Sequence, residues 1–139
     1  MLTGGTDDIP VVVLAISSND NLTDLAVMVR PPTDLDTVNQ PFAPHPYVIV
    51  AAPTHPLVGK TGIPLTTLMC EPFVVRERGS DTWHSMEEGF GGDLRHINIA
   101  MEIRSTETIK QAVIAGMGVS FLSAHTISQE MKSGSLRVL

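Results

Sequence analysis

The amino-acid sequence predicts an α/β protein, in which strands and helices alternate along the chain. Residues 97–123 read as a strand, a tight turn, a helix, a glycine turn and a second strand, a unit whose length is typical of a parallel crossover. Strand and helix patterns also alternate throughout residues 47–139. The chain is 42% hydrophobic but only 4% aromatic, so we expect an aliphatic, methionine-rich core.

The first third of the chain is less regular. Pro10–Ile16 is rich in β-branched residues, which favours a strand, but Asp7 or Asp8 as an N-cap and Pro10 in the first turn favour a helix. Residues 25–29 form an apolar run and predict a short buried strand.

Proline dominates the segment that follows. Pro41, Pro44 and Pro46 predict a loop without regular structure, because proline cannot donate to a sheet ladder. Residues 47–52 then predict a strand, and a short helix is expected to begin near Leu65.

The pattern is clearer from residue 73 onward. FVVR at 73–76 predicts a strand, and Ser80 or Asp81 is placed to cap a helix with one apolar stripe. A last helix is expected to begin near Ser123 and to end at Gly134.

The central unit has clear local signals. Apolar and polar residues alternate over 97–103, which predicts a strand with one face inward. Ser105 and Thr106 offer N-cap hydroxyls to the next helix, and Gly116 and Gly118 end that helix and open the strand GVSFL.

Charge and composition exclude several classes of function. The net charge is −6 and no basic stripe is present, so the chain by itself is a poor nucleic-acid binder. No apolar run is as long as a membrane span, and Cys70 is alone, which favours a reducing, cytoplasmic setting. The five histidines lack metal-ligand spacing, and no nucleophile motif is present, so we predict no metal, no cofactor and no enzyme activity.

Two turns are candidate binding sites. The turn that begins at Arg76 combines two arginines, a glycine and hydroxyls with the N-terminus of a helix. This combination favours binding of an anion. The alternative is that Ser80 or Asp81 only caps the helix. The segment Arg104-Ser105-Thr106 repeats this arrangement after the next strand, again with N-capping as the alternative. Arg30, before two prolines, either marks the end of a strand or points into a cleft.

With these residues assembled, the chain resembles the effector-binding domain of LysR-type transcriptional regulators. DLAVMVRPP (24–32), VIVAAPTHPL (48–57), PLTTLMCEPFVVRERGSDTW (64–83) and IRSTETIKQAVIAGMGVSFLS (103–123) are similar to family segments, in the family's order. The resemblance covers about residues 22–139 and is strongest to the branch that regulates Calvin-cycle carbon-fixation operons, often called CbbR.

The resemblance implies a periplasmic-binding-protein-like fold of two Rossmann-like lobes. Residues 1–46 would be part of the first lobe and residues 47–139 nearly all of the second, with the DNA-binding helix-turn-helix outside this chain. It also implies that Pro10–Ser18 is a helix.

In this family a small effector sits between the lobes, and its contacts carry over only at matching positions. The residues implied to bind effector are Arg30, Pro31, Arg76, Arg78, Ser80, Ser105 and Thr106. The arginines imply an anionic or phosphorylated metabolite. DNA and RNA polymerase would be partners only through the intact regulator, which is expected to be a homo-oligomer, with no membrane partner.

Two other classes of function are weighed against this interpretation. A solute-binding protein of a transporter shares the two-lobed architecture, but no signal peptide opens this sequence. A small α/β enzyme such as a phosphatase would need a nucleophile, and the sequence offers no clear candidate.

Overall fold

The computed structural model describes residues 9–16, 25–30, 37–92 and 94–139. The chain divides into two compact units, one of which ends at Pro46 while the other contains Tyr47–Leu139.

The first unit contains an antiparallel sheet of three strands. Strand β1 (Ile9–Ile16) lies in the middle and pairs with β2 (Leu25–Met28) on one side and with β3 (Thr37–His45) on the other. The helix predicted over Pro10–Ser18 is therefore wrong for the described residues up to Ile16. The β-branched content of this run agrees with a strand, since such residues lose rotamer freedom in a helix but fit a pleated strand.

The proline-rich loop is also corrected by the structure, because Pro41 and Pro44 lie within strand β3. β3 is an outer strand of this three-stranded sheet and pairs only with β1 in it, so a proline there does not interrupt hydrogen bonding on two sides. The register shifts between Val11 and Val12, which places an irregularity opposite the proline-containing segment.

The strand predicted at 25–29 is confirmed over Leu25–Met28, but Val27 is 58% exposed, so the prediction of burial is wrong for that residue.

The second unit is built on strands that connect into one layer. Strand β4 (Tyr47–Ala51) pairs antiparallel with β7 (Ser120–Ser123) and with β8 (Arg137–Val138), while β5 (Phe73–Arg76) pairs parallel with β6 (Ile99–Ile103). A parallel bridge between Phe73 and Val119 joins the two groups. The strands therefore follow the order β6, β5, β7, β4, β8.

Helices connect these strands as the sequence predicts. They are α1 (Leu65–Cys70), α2 (Asp81–Gly89), α3 (Thr106–Ile114) and α4 (Ser128–Ser133), the last preceded by a 3₁₀ helix at Ala124–Ile127. The strand–helix–strand unit predicted within residues 97–123 is confirmed as β6, α3 and β7, and it crosses over β5, which lies between its two strands.

The core of the second unit is divided between the two faces of the sheet. One cluster is aliphatic and includes residues from α3; its fully buried members are Val50, Val74, Ile109, Val113, Leu122, Ile127 and Leu136. Phe73 and Phe121 precede Val74 and Leu122 in their strands and so face the other way. There Phe121 stacks on Tyr47 with ring centroids 5.0 Å apart, and Phe90 meets Phe73 edge-on at 5.9 Å. The aliphatic core predicted from composition thus describes only one face.

A buried ion pair fastens α3 to the segment that follows β7. Lys110, only 5% exposed, donates from Nζ to Glu130 Oε1 at 2.8 Å and to the carbonyl oxygen of Thr126 at 3.1 Å, and Glu107 Oε1 also lies 2.8 Å away. Burial by itself lowers the pKa of Lys110, but the hydrogen bonds to Glu107 and Glu130 outweigh it and leave that pKa raised. The hydrogen bond from Lys110 also lowers the pKa of Glu130.

We expect Lys110→Met to cost about 3 kcal/mol of stability at neutral pH, because it leaves the Glu130 carboxylate without its cation at a largely buried position. Since the pKa of Glu130 is lowered on folding, its favourable contribution exists above its usual range and is lost as the pH falls through the folded-state pKa. The stability gap between the two proteins should therefore be largest at neutral pH and should narrow as the pH falls below the usual range of a glutamate pKa. Urea denaturation checks this. Lys132→Met, which removes an exposed lysine from α4, is the control.

A close backbone contact joins β5 to β7 at Gly118. The Val119 N–H donates to the Pro72 carbonyl oxygen at 2.9 Å, and the Val74 N–H donates to the Val119 carbonyl oxygen at 2.9 Å. A Cβ atom on Gly118, whose φ is +148°, would overlap the same Pro72 carbonyl oxygen. Only glycine allows this approach.

Gly118→Ala should therefore destabilise the protein by about 3 kcal/mol, through steric overlap with backbone that cannot move without breaking the β5–β7 hydrogen bonds. Gly116→Ala is the matched control, since Gly116 also has a positive φ but nothing lies within 4 Å of the position of its Cβ. That control should lose only about 1 kcal/mol. Equal losses in denaturant titrations would show that the overlap with Pro72 is unimportant.

Candidate functional site

The candidate site lies where β5 and β6 end. The two strands are parallel neighbours, with Arg76 opposite Ile103, so the turns that follow them reach the same edge of the sheet. Each turn leads directly into a nine-residue helix, α2 or α3. The two predicted anion-binding turns are thus brought together.

Arg76 connects these turns. Its Nη1 donates to Thr106 Oγ1 at 3.1 Å, a contact between residues 30 positions apart in the sequence. Its Nε and Nη2 donate to the two carboxylate oxygens of Glu77, at 2.8 and 3.0 Å. The hydrogen bond between the two side chains raises the pKa of Arg76 and lowers the pKa of Glu77. Two of the seven predicted site residues, Arg76 and Thr106, are therefore in direct contact.

Ser80 and Ser105 are the N-caps of the two helices. Ser80 Oγ accepts from the Trp83 N–H at 3.1 Å and donates to the Glu77 carbonyl oxygen at 2.8 Å. Ser105 Oγ accepts from the Thr108 N–H at 3.3 Å. The capping role considered for both serines is confirmed. Their role in effector binding stays a prediction.

Arg78 lies on the outer side of the first turn. Its guanidinium carbon is 5.2 Å from the centroid of the Trp83 ring, a cation–π arrangement. The backbone N–H of Arg78 donates to Glu102 Oε1 at 3.3 Å. Trp83 is the single tryptophan of the chain. Its fluorescence therefore reports on this turn.

Acidic residues of the site were not selected from the sequence. Glu77 lies between Arg76 and Arg78, and this position between two arginines was the sequence signal that could have indicated an ion pair. Glu102 has no evident partner in the sequence, yet it accepts a hydrogen bond from the backbone of the first turn. Sequence spacing does not reveal either contact, because both depend on the orientation of side chains at the strand ends.

The two remaining predicted residues belong elsewhere in the chain. Arg30 follows β2 in the first unit, and Pro31 lies outside the described residues. Their role in effector binding stays a prediction.

Among the described residues, no group of three or more His, Cys, Asp and Glu residues could hold a metal ion. No helix there combines the length and apolar character needed to cross a membrane.

Comparison with known proteins identifies the family. The sequence model of the LysR substrate binding domain family matches residues 18–139. The chain is 47% identical over 120 residues to the HTH-type transcriptional regulator CfxR of Cupriavidus necator, which covers 86% of this chain and 38% of CfxR. It is 48% identical over 122 residues to CbbR of Sinorhizobium medicae, covering 86% of this chain and 39% of CbbR. The chain thus spans less than two fifths of the length of either relative.

A solved structure agrees with these relatives. The regulatory domain of CcmR from Synechocystis PCC6803, in complex with 2-PG, is 41% identical and superposes with a TM-score of 0.70, covering 79% of this chain and 53% of that one. The periplasmic-binding-protein-like α/β fold predicted from the sequence is confirmed by this similarity. The chain belongs to the LysR substrate-binding domain family and is a regulatory-domain fragment related to CbbR and CfxR.

Proposed function

We propose that this chain is the effector-sensing part of a LysR-type regulator of carbon-fixation genes and that its effector is a small phosphorylated metabolite. The observation that carries the proposal is the contact between Arg76 and Thr106, which joins, at one edge of the sheet, the two turns that are predicted to bind an anion. We assign residues 1–46 to a partial first lobe and residues 47–139 to the second lobe.

The chemistry of the site supports an anionic effector. The N-termini of α2 and α3 present backbone N–H groups and the positive ends of their helix dipoles. Arg76 offers a planar fork of donors that matches the oxygens of phosphate or carboxylate. Its side chain is 22% exposed, so a ligand can reach it.

The relatives favour a phosphorylated compound. The CcmR regulatory domain, at 41% identity, was solved with 2-PG, which is 2-phosphoglycolate. 2-Phosphoglycolate carries a phosphate and a carboxylate, so it could engage both turns at once. A phosphorylated sugar intermediate and a nicotinamide dinucleotide phosphate share the phosphate group and are the other candidates.

The proposed mechanism is a shift between two arrangements of the lobes. An effector that binds one arrangement more tightly than the other changes their populations, and only by that difference in affinity. In the intact regulator, we propose that this shift is transmitted to DNA-binding domains and RNA polymerase through a cytoplasmic homo-oligomer. A transporter component and an enzyme are less well supported, because the relatives matched over most of this chain are transcriptional regulators.

Arg76→Ala in the full-length protein that carries this chain should weaken binding of 2-phosphoglycolate by at least about tenfold, because it removes the charged donor that joins the two turns. Arg78→Ala should weaken it less, since that guanidinium lies over Trp83. Titration calorimetry gives the affinities.

Arg137→Ala removes an exposed guanidinium from β8 and serves as the control for general charge loss. Melting temperatures of all variants should stay near that of the unmodified protein. Unchanged affinity in both Arg76→Ala and Arg78→Ala would remove this turn from the effector site.

A further inference from the structure

The carboxylate of Glu77 occupies the part of Arg76 that is best suited to an effector. Arginine binds carboxylate and phosphate most strongly through two parallel N–H donors. In Arg76 the Nε and Nη2 donors form such a pair, and both are directed at Glu77, at 2.8 and 3.0 Å. The Nη1 of Arg76 donates a hydrogen bond to Thr106 Oγ1. An anion that approaches Arg76 therefore meets a carboxylate already bound.

The Glu77 side chain can leave without disturbing the fold. Its backbone is held separately, because its carbonyl oxygen accepts from Ser80 Oγ at 2.8 Å and from the Ser80 N–H at 3.2 Å. The side chain itself is 28% exposed and is no part of the buried core. Rotation of the Glu77 side chain would cost mainly the pair with Arg76.

A second cation follows the neighbouring strand. Arg104 comes directly after β6 and is exposed. The hydrogen bond from Arg76 is the main reason why the pKa of Glu77 is low, and the positive charge of Arg104 lowers it further.

We propose that Glu77 is a built-in competitor for the effector, whose carboxylate must leave Arg76 before an anionic ligand can bind there in two-point fashion. The inference rests on the proposed function, because it concerns the same site. It makes Glu77 a residue that determines specificity. A tethered carboxylate competes at a high effective concentration, so a free monocarboxylate cannot replace it, whereas a doubly charged phosphate can.

The test uses Glu77→Gln in the full-length protein, with 2-phosphoglycolate and glycolate as ligands. Glycolate has the same carboxylate but no phosphate. Calorimetry should show that Glu77→Gln binds 2-phosphoglycolate about five- to tenfold more tightly and that glycolate, without measurable binding to the unmodified protein, becomes a ligand. Glu87→Gln, which alters a partly exposed glutamate on α2 beside His84, should change neither affinity.

A double-mutant cycle separates competition for Arg76 from a general change of charge. If Glu77 competes for Arg76, the gain from Glu77→Gln should largely disappear when Arg76→Ala is also present. A gain of the same size in both backgrounds would overturn the proposal. Weaker binding in Glu77→Gln would also overturn it, because Glu77 would then act only to position Arg76.

The two proposals fail in different ways. If the unmodified protein binds 2-phosphoglycolate and Arg76→Ala does not, while Glu77→Gln binds it unchanged, only the competitor role is wrong. If 2-phosphoglycolate binds neither the unmodified protein nor Glu77→Gln, both proposals are wrong.

Discussion

The parallel pairing of β5 with β6 is the constraint on which the candidate site depends. Parallel neighbours end at the same edge of a sheet, so the segments after Arg76 and after Ile103 must meet there. Phe73, Val74 and Val75 are at most 1% exposed and hold β5 in the layer, and Arg76 is the first residue of the strand to reach solvent. The apolar core thus determines where the guanidinium emerges.

The same layer depends on one backbone contact and one buried ion pair. The contact between Gly118 and Pro72 allows β7 to lie beside β5, which makes the crossover through α3 possible. Lys110 then fastens α3 to the segment that follows β7. Thr106, whose hydroxyl accepts from Arg76, lies on the same helix, one turn before Lys110.

Two ion pairs of the second unit differ in what they can do. The side chains of Lys110 and Glu130 are 6% and 15% exposed, and their separation would leave a charge in the protein interior. Arg76 and Glu77 are 22% and 28% exposed, and their separation can be compensated by solvent or by a ligand. The buried pair is suited to hold the scaffold, and the accessible pair is suited to exchange one anion for another.

The elements of the second unit and the family of the chain could be predicted from local sequence patterns. Periodicity, N-cap hydroxyls and terminating glycines act over a few residues, so β5, α2, α3 and the caps Ser80 and Ser105 could be predicted locally. The tertiary structure fixed the features that depend on neighbours distant in sequence. It made β1 a strand by pairing it on both sides, accepted Pro41 and Pro44 at a sheet edge, and required glycine at 118. It also chose Glu77 and Thr106 as the partners of Arg76, because side-chain partners follow from strand register and not from sequence spacing.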